Sequence, residues 1–136
     1  MTAELRLPEK IRVSTGSAIV LRLLRGRLDA KPTTIYLLTY RDGKCFANCG
    51  FCPQAKMSRG RADMLSRVTW LPFPTEQVFS GIEYVAKTGA IKRVCIQALN
   101  YPTVFEDVSN LAHAIKSHVK VPLSISCQPL NREKME

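Results

Sequence analysis

The chain has 136 residues, 46% hydrophobic and 23% charged, a balance that suits one globular domain and excludes a disordered polyelectrolyte. Its 20 Lys and Arg against 11 Asp and Glu leave a formal charge of +9, which favours acidic partners: nucleic acid, an anionic protein, or a carboxylated or phosphorylated substrate. No signal peptide or apolar run of membrane length is visible, since the longest greasy segment, residues 18–24, is broken by Arg22. The five cysteines are clustered rather than spaced as a disulfide framework, so a reducing, cytoplasmic setting is expected.

Residues 1–13 alternate charged and apolar side chains without a clear period, and Pro8 argues against a long helix there. Ser14 or Thr15 can cap a helix running to about Arg25, with Gly26 as its stop and Ile19, Val20, Leu23 and Leu24 on one apolar side. Arg22, Arg25 and Arg27 fall around its end, where cations complement the helix dipole, and they read as solvated. Pro32 then separates an N-terminal helical leader, residues 1–32, from a body over residues 33–136. Residues 33–40, TTIYLLTY, are β-branched and aromatic with an apolar centre, as in a strand of a parallel sheet buried on both faces.

Directly after this strand comes KCFANCGFCPQA, residues 44–55, with Cys45, Cys49 and Cys52 spaced C-x3-C-x2-C. In α/β proteins ligands bind beyond the carboxyl ends of strands, so the fold would place chemistry at this loop. Three thiols at these spacings can wrap three corners of an iron–sulfur cluster and leave one iron open to a small molecule. Structural zinc normally needs a second pair of ligands, and His113 and His118 lie far downstream on an expected helix. Disulfides between thiols three and four residues apart would close strained rings.

Residues 56–74 read as a long irregular connection carrying Lys56, Arg59, Arg61 and Arg67. These cations could hold a ligand carboxylate or an acidic partner, or simply be solvated; Trp70 and Phe73 read as hydrophobic anchors. Thr75 is placed to cap a helix over residues 76–87, ended by Gly89, with Val78, Ile82 and Val85 on one face. A strand over 93–99, a turn at 100–102, a helix over 104–118 and a strand over 121–127 follow, then a helical turn after Asn131. The order β-α-β-α-β implies parallel strands joined by right-handed crossovers. A complete parallel barrel takes ~250 residues, so the expectation is about half of one: a fragment, a truncated gene, or a chain completed by a second subunit.

The cysteine triplet with an aromatic residue, Phe51, before its third member resembles the signature of radical S-adenosylmethionine enzymes, and FCPQA followed by a basic loop is similar to biotin synthase and its relatives. The resemblance spans roughly residues 33–130, with the cysteine loop its specific part. It implies the first half of a (β/α) partial barrel, a [4Fe-4S] cluster on Cys45, Cys49 and Cys52, and S-adenosylmethionine on the fourth iron with its adenine near Phe51. It further implies an electron donor such as ferredoxin or flavodoxin, and reductive cleavage of the sulfonium to a 5′-deoxyadenosyl radical. Cys95 matches a family ligand of a second, sulfur-donating cluster, but the next ligand position is Ser124, and Cys127 comes three residues later, on the opposite face by strand alternation. Buried structural thiols are the expected reading of Cys95 and Cys127. The family's glycine-rich segment after the second strand has no counterpart in residues 97–100, Gln-Ala-Leu-Asn.

The activity implied is sulfur insertion into an unactivated carbon chain, on a small molecule or on an acyl chain borne by a carrier protein, as in a two-component archaeal lipoyl synthase. A basic surface would suit an acidic carrier. Two alternatives stand beside it: a radical RNA-modifying enzyme, which lacks an aromatic single-strand platform here, and an inactive or regulatory iron–sulfur fragment. No acid/base pair, nucleophilic serine or phosphate-cradling glycine loop accompanies the cysteines.

Overall fold

The protein is described by a computed structural model over residues 6–47, 49–50, 52–61, 63–65, 68–128 and 131–135. The elements in chain order are β1 (Lys10–Ser14), α1 (Thr15–Val20), β2 (Thr34–Thr39), β3 (Met64–Leu65), β4 (Val68–Pro74), α2 (Thr75–Lys87), β5 (Arg93–Gln97), α3 (Val104–His118), β6 (Leu123–Ser126) and α4 (Arg132–Met135). The strands form one six-stranded sheet in the order β3-β4-β1-β2-β5-β6. β2, β5 and β6 run parallel, with Tyr36 opposite Cys95 and Cys95 opposite Ser124. β1 is antiparallel to both β2 and β4, and β3 is antiparallel to β4. The architecture is mixed α/β.

Two expectations are corrected. The helical leader expected over residues 1–32 is not seen among the described residues 6–32: β1 lies in the middle of the sheet, between β2 and β4. Its sequence KIRVS has period two, so Ile11 and Val13 reach the core on one face while Arg12 and Ser14 are buried on the other. The helix that follows ends at Val20 rather than near Arg25. The N–H of Leu23 donates to the Ala18 carbonyl (2.8 Å) and that of Arg22 to the Ile19 carbonyl (3.1 Å), which closes the helix well before Gly26. Arg22 takes the left-handed conformation, φ 63°, that this closure requires, at a cost of about 1 kcal/mol or more for a side chain with a Cβ.

Residues 56–74, expected as an irregular connection throughout, contain β3 and β4. Pro72 and Pro74 obscure β4 in the sequence. They are two apart, so their missing donors fall on one side, and the antiparallel partner β1 lies on the other; the adjacent Thr75 N–H donates back to Glu9 at 3.0 Å. The remaining helices and strands fall near their expected positions, but β2 is not buried throughout on both faces, because Tyr36 is exposed. Asn131 Oδ1 accepts from the Lys134 N–H at 3.0 Å as an N-cap should, whereas Thr75 is the first residue of α2 and its hydroxyl donates to the Pro8 carbonyl. Gly89 adopts φ +74° after α2, where it serves as the terminator.

The sheet has two unlike faces. On one, Ile11, Val13, Ile35, Leu37, Val94 and Ile96 pack beneath Val78 and Ile82 of α2 and Leu111 and Ile115 of α3. Full burial of each such side chain contributes roughly 1.5–3 kcal/mol. On the other face a smaller cluster joins Leu38, Cys45, Trp70, Leu99 and Tyr101. The first cluster holds the fold together, and the second seats the cysteine loop. Among the described residues no helix is long and apolar enough to cross a membrane. Because Ile11 is fully buried at the sheet's centre, Ile11→Ala should lower unfolding free energy by ~2–5 kcal/mol in urea titrations; a change near zero would mean that residues 10–14 are peripheral.

Candidate functional site

The parallel pairing of β2, β5 and β6 brings their carboxyl ends side by side, and the cysteine loop crosses that edge. Cys45 is buried against Leu38, Trp70, Leu99 and Tyr101. Backbone bonds anchor it on two sides: the Asn100 N–H donates to Cys45 Sγ at 3.0 Å, and the Phe46 N–H donates to the Asn100 carbonyl at 2.7 Å. The loop then folds back on itself, with Cys45 N–H donating to Gln54 O (2.8 Å) and Lys56 N–H to Ala47 O (2.8 Å). Between these bonds the Cys52 N–H reaches the Cys49 carbonyl (3.3 Å) and the Ala55 N–H the Cys52 carbonyl (3.1 Å), a tight turn about the second and third thiols.

Two side chains beside the cysteines, Lys44 and Gln54, brace this loop. Lys44 Nζ donates to the Pro53 carbonyl at 2.5 Å and to the Gly60 carbonyl. Gln54, buried beside the cysteines, donates through Nε2 to the Met64 carbonyl at 2.7 Å. Their only sequence signal was adjacency to the motif, since a lysine before a cysteine and a glutamine after a proline have many other uses.

Cys49 is exposed, Cys52 half-buried, and all three loop cysteines line one cavity of about 380 Å³. Its walls include Leu38 and Leu65, with the amide groups of Gln97, Asn100 and Gln128 on the β5–β6 side. Asn100 Nδ2 donates to Gln128 Oε1 at 3.0 Å, which ties the ends of those two strands together. Among the described residues no three cysteine, histidine or carboxylate side chains are gathered as the ligand set of a single metal ion. A polynuclear cluster asks for something different, because each thiolate binds its own iron and the ligands stand around the cluster. Three free thiols on one turn, bordering one cavity, fit such a group by donor type and by placement.

Phe51, the expected adenine neighbour, lies outside the described residues, as does Arg67. Phe46, the loop's other aromatic residue, is about half exposed, with the Arg41 guanidinium 3.9 Å from its ring centre. Of the basic residues expected on the connection, Arg61 is engaged by Asp63 (2.6 Å), a hydrogen bond that holds the Asp63 carboxyl below its ordinary range. Lys56 and Arg59 are exposed. Trp70 is buried and donates to the Leu65 carbonyl at 3.1 Å, so it anchors β4 and offers no docking surface. His113 and His118 lie exposed on α3.

Cys95 sits half-buried on β5 opposite Ser124, whose hydroxyl accepts from Arg93 at 2.6 Å. Cys127 departs from the expected buried thiol: it is exposed just past β6, at the wall of the cavity that the loop cysteines line. No protein-family model, curated protein or solved structure matches the chain.

Burial pushes the Cys95 thiol above its ordinary range, with Arg93 opposing the shift only in part. The folded state therefore favours the neutral thiol, a contribution that is complete below the ordinary thiol pKa and is lost as pH rises through the elevated value. In metal-free protein at pH 8, iodoacetamide should label Cys95 more slowly than exposed Cys49, with the gap narrowing in stronger alkali. Peptide mass spectrometry reads both rates, and equal rates at pH 8 would contradict the burial.

Proposed function

We propose that Cys45, Cys49 and Cys52 hold a [4Fe-4S] cluster with one open iron, and that the chain is the catalytic core of a radical S-adenosylmethionine enzyme of the biotin synthase-like kind. The observation that carries this reading is the placement of all three thiols on one short loop, around one cavity, at the carboxyl ends of parallel strands. In this reading β2, β5 and β6 with their helices are the opening strands of a (β/α) barrel, the architecture in which that end carries chemistry. When bound, the cluster supplies the single electron that cleaves the sulfonium of S-adenosylmethionine.

The chain's own residues bind, orient and exclude water. Leu38, Leu65 and Leu99 form the apolar side of the cavity, where Cys45 is buried, while Cys49 stays open to solvent. The Asn100 N–H aimed at Cys45 Sγ is the kind of bond that sets a cluster's potential. Gln97, Asn100 and Gln128 offer amide donors and acceptors to the amino acid end of the cofactor, in place of the glycine-rich segment that residues 97–100 lack. A second cavity of about 350 Å³ on the same face, bordered by Tyr36, Trp70 and again Gln97, is the room for substrate. Exposed Lys56 and Arg59 beside the loop suit the carboxylate of a small substrate or the acidic surface of an acyl carrier domain. Sulfur insertion into an unactivated carbon chain is the reaction class we assign, with reduced ferredoxin or flavodoxin as electron donor.

The test is anaerobic loading with iron and sulfide, followed by S-adenosylmethionine and dithionite. Mass spectrometry should find methionine and 5′-deoxyadenosine from the wild-type chain, and only background from Cys45→Ala, Cys49→Ala or Cys52→Ala. A cluster-loaded wild-type chain that leaves S-adenosylmethionine intact would overturn the assignment.

A further inference from the structure

At the opposite end of the parallel strands, before β2 and β5 begin, the end of α1, the segment over residues 22–31 and the end of α2 enclose a cavity of about 500 Å³. Val20, Leu28 and Val85 supply apolar lining, and Arg22, Arg27 and Lys31, all exposed, border the same cavity. Among the described residues no carboxylate lines it, and none of the three cations is in an ion pair; the pairs described, Arg61–Asp63 and Lys87–Glu83, lie elsewhere. Three like charges around one cavity repel each other, and a bound anion relieves that repulsion.

Arg22 differs from the other two cations in its backbone. Its left-handed backbone is a conformation that glycine adopts without strain, so the fold alone would be better served by glycine. What arginine brings is a guanidinium bordering the cavity, held 5.2 Å from the ring centre of Tyr84, itself a wall of the cavity and more than half exposed. Strain kept at a residue that faces a cavity is a pointer to a ligand. The volume falls within the range of small-molecule sites, which combine mostly apolar walls with a few polar groups that fix orientation.

We propose that this cavity binds a small anionic amphiphile, a phosphate or carboxylate head on a short apolar body. Arg22, Arg27 and Lys31 take the head, and Val20, Leu28 and Val85 take the body. The site needs no metal and is independent of the cysteine loop, so it stands or falls apart from the cluster assignment.

The test uses the metal-free full chain, isotopically labelled, titrated by NMR with hexyl phosphate, hexanoate and neutral hexanol. Both anions should shift amide signals of residues 19–31 and 84–90 with saturation, and hexanol should bind at least about tenfold more weakly, the loss of one charge-assisted contact. The tighter anion names the head group, and either order supports the proposal. Arg22→Gly should weaken the anions about tenfold while leaving the thermal midpoint unchanged or raised, because it removes the strained backbone. The proposal is overturned if no shift saturates, if hexanol binds as tightly as hexyl phosphate, or if Arg22→Gly binds both anions as the wild type does.

Discussion

Two backbone hydrogen bonds at Asn100 place the cysteine loop. One runs from the Asn100 N–H to Cys45 Sγ and the other from the Phe46 N–H to the Asn100 carbonyl, so the residue that leaves β5 grips both the first cysteine and its neighbour. The grip depends on β2 and β5 lying parallel and adjacent, since only then do the loop after one strand and the turn after the other meet. That adjacency depends in turn on the apolar face of Ile35, Leu37, Val94 and Ile96, which the helices cover. The site is thus held by the same packing that holds the fold, through a pair of bonds at the sheet's edge.

The sheet divides its labour by face. The helix-covered side is almost wholly aliphatic, whereas the other side presents Arg12, Ser14, Tyr36, Cys95, Gln97 and Ser124 along with the cysteine cavity. Polar groups on that side cannot be left dry without partners, and they find them locally: Arg12 Nη1 donates to the Trp70 carbonyl at 2.7 Å and Arg93 to Ser124. A face with this character can wrap a ligand. The opposite end of the molecule differs again, with cations around an apolar hollow.

Much of this was legible in the residues themselves. Helices α2 and α3 show their 3.6-residue stripes plainly, and the β-branched runs of β2 and β5 can hardly be anything but strands. β1 was missed because its period-two pattern spans only five residues and follows Pro8, and β4 because Pro72 and Pro74 mask a strand whose free side tolerates them. The antiparallel placement of β1 between β2 and β4 is a long-range pairing that no local pattern encodes. In the site, the thiols announced themselves by spacing. The arrival of Cys127 and Gln128 at the same cavity depends on the register of β6 against β5, and that register is visible only in three dimensions.

The central claim is that three loop thiols share one cubane and leave one of its irons to a small molecule. Mössbauer spectroscopy of the chain loaded anaerobically with iron-57 and sulfide tests it most directly. The account predicts a [4Fe-4S] signal in which one iron becomes distinct when S-adenosylmethionine is added, and loss of that signal when Cys45, Cys49 and Cys52 are replaced by alanine. A loaded chain without a cubane signal, or one whose signal survives replacement of all three thiols, would contradict it.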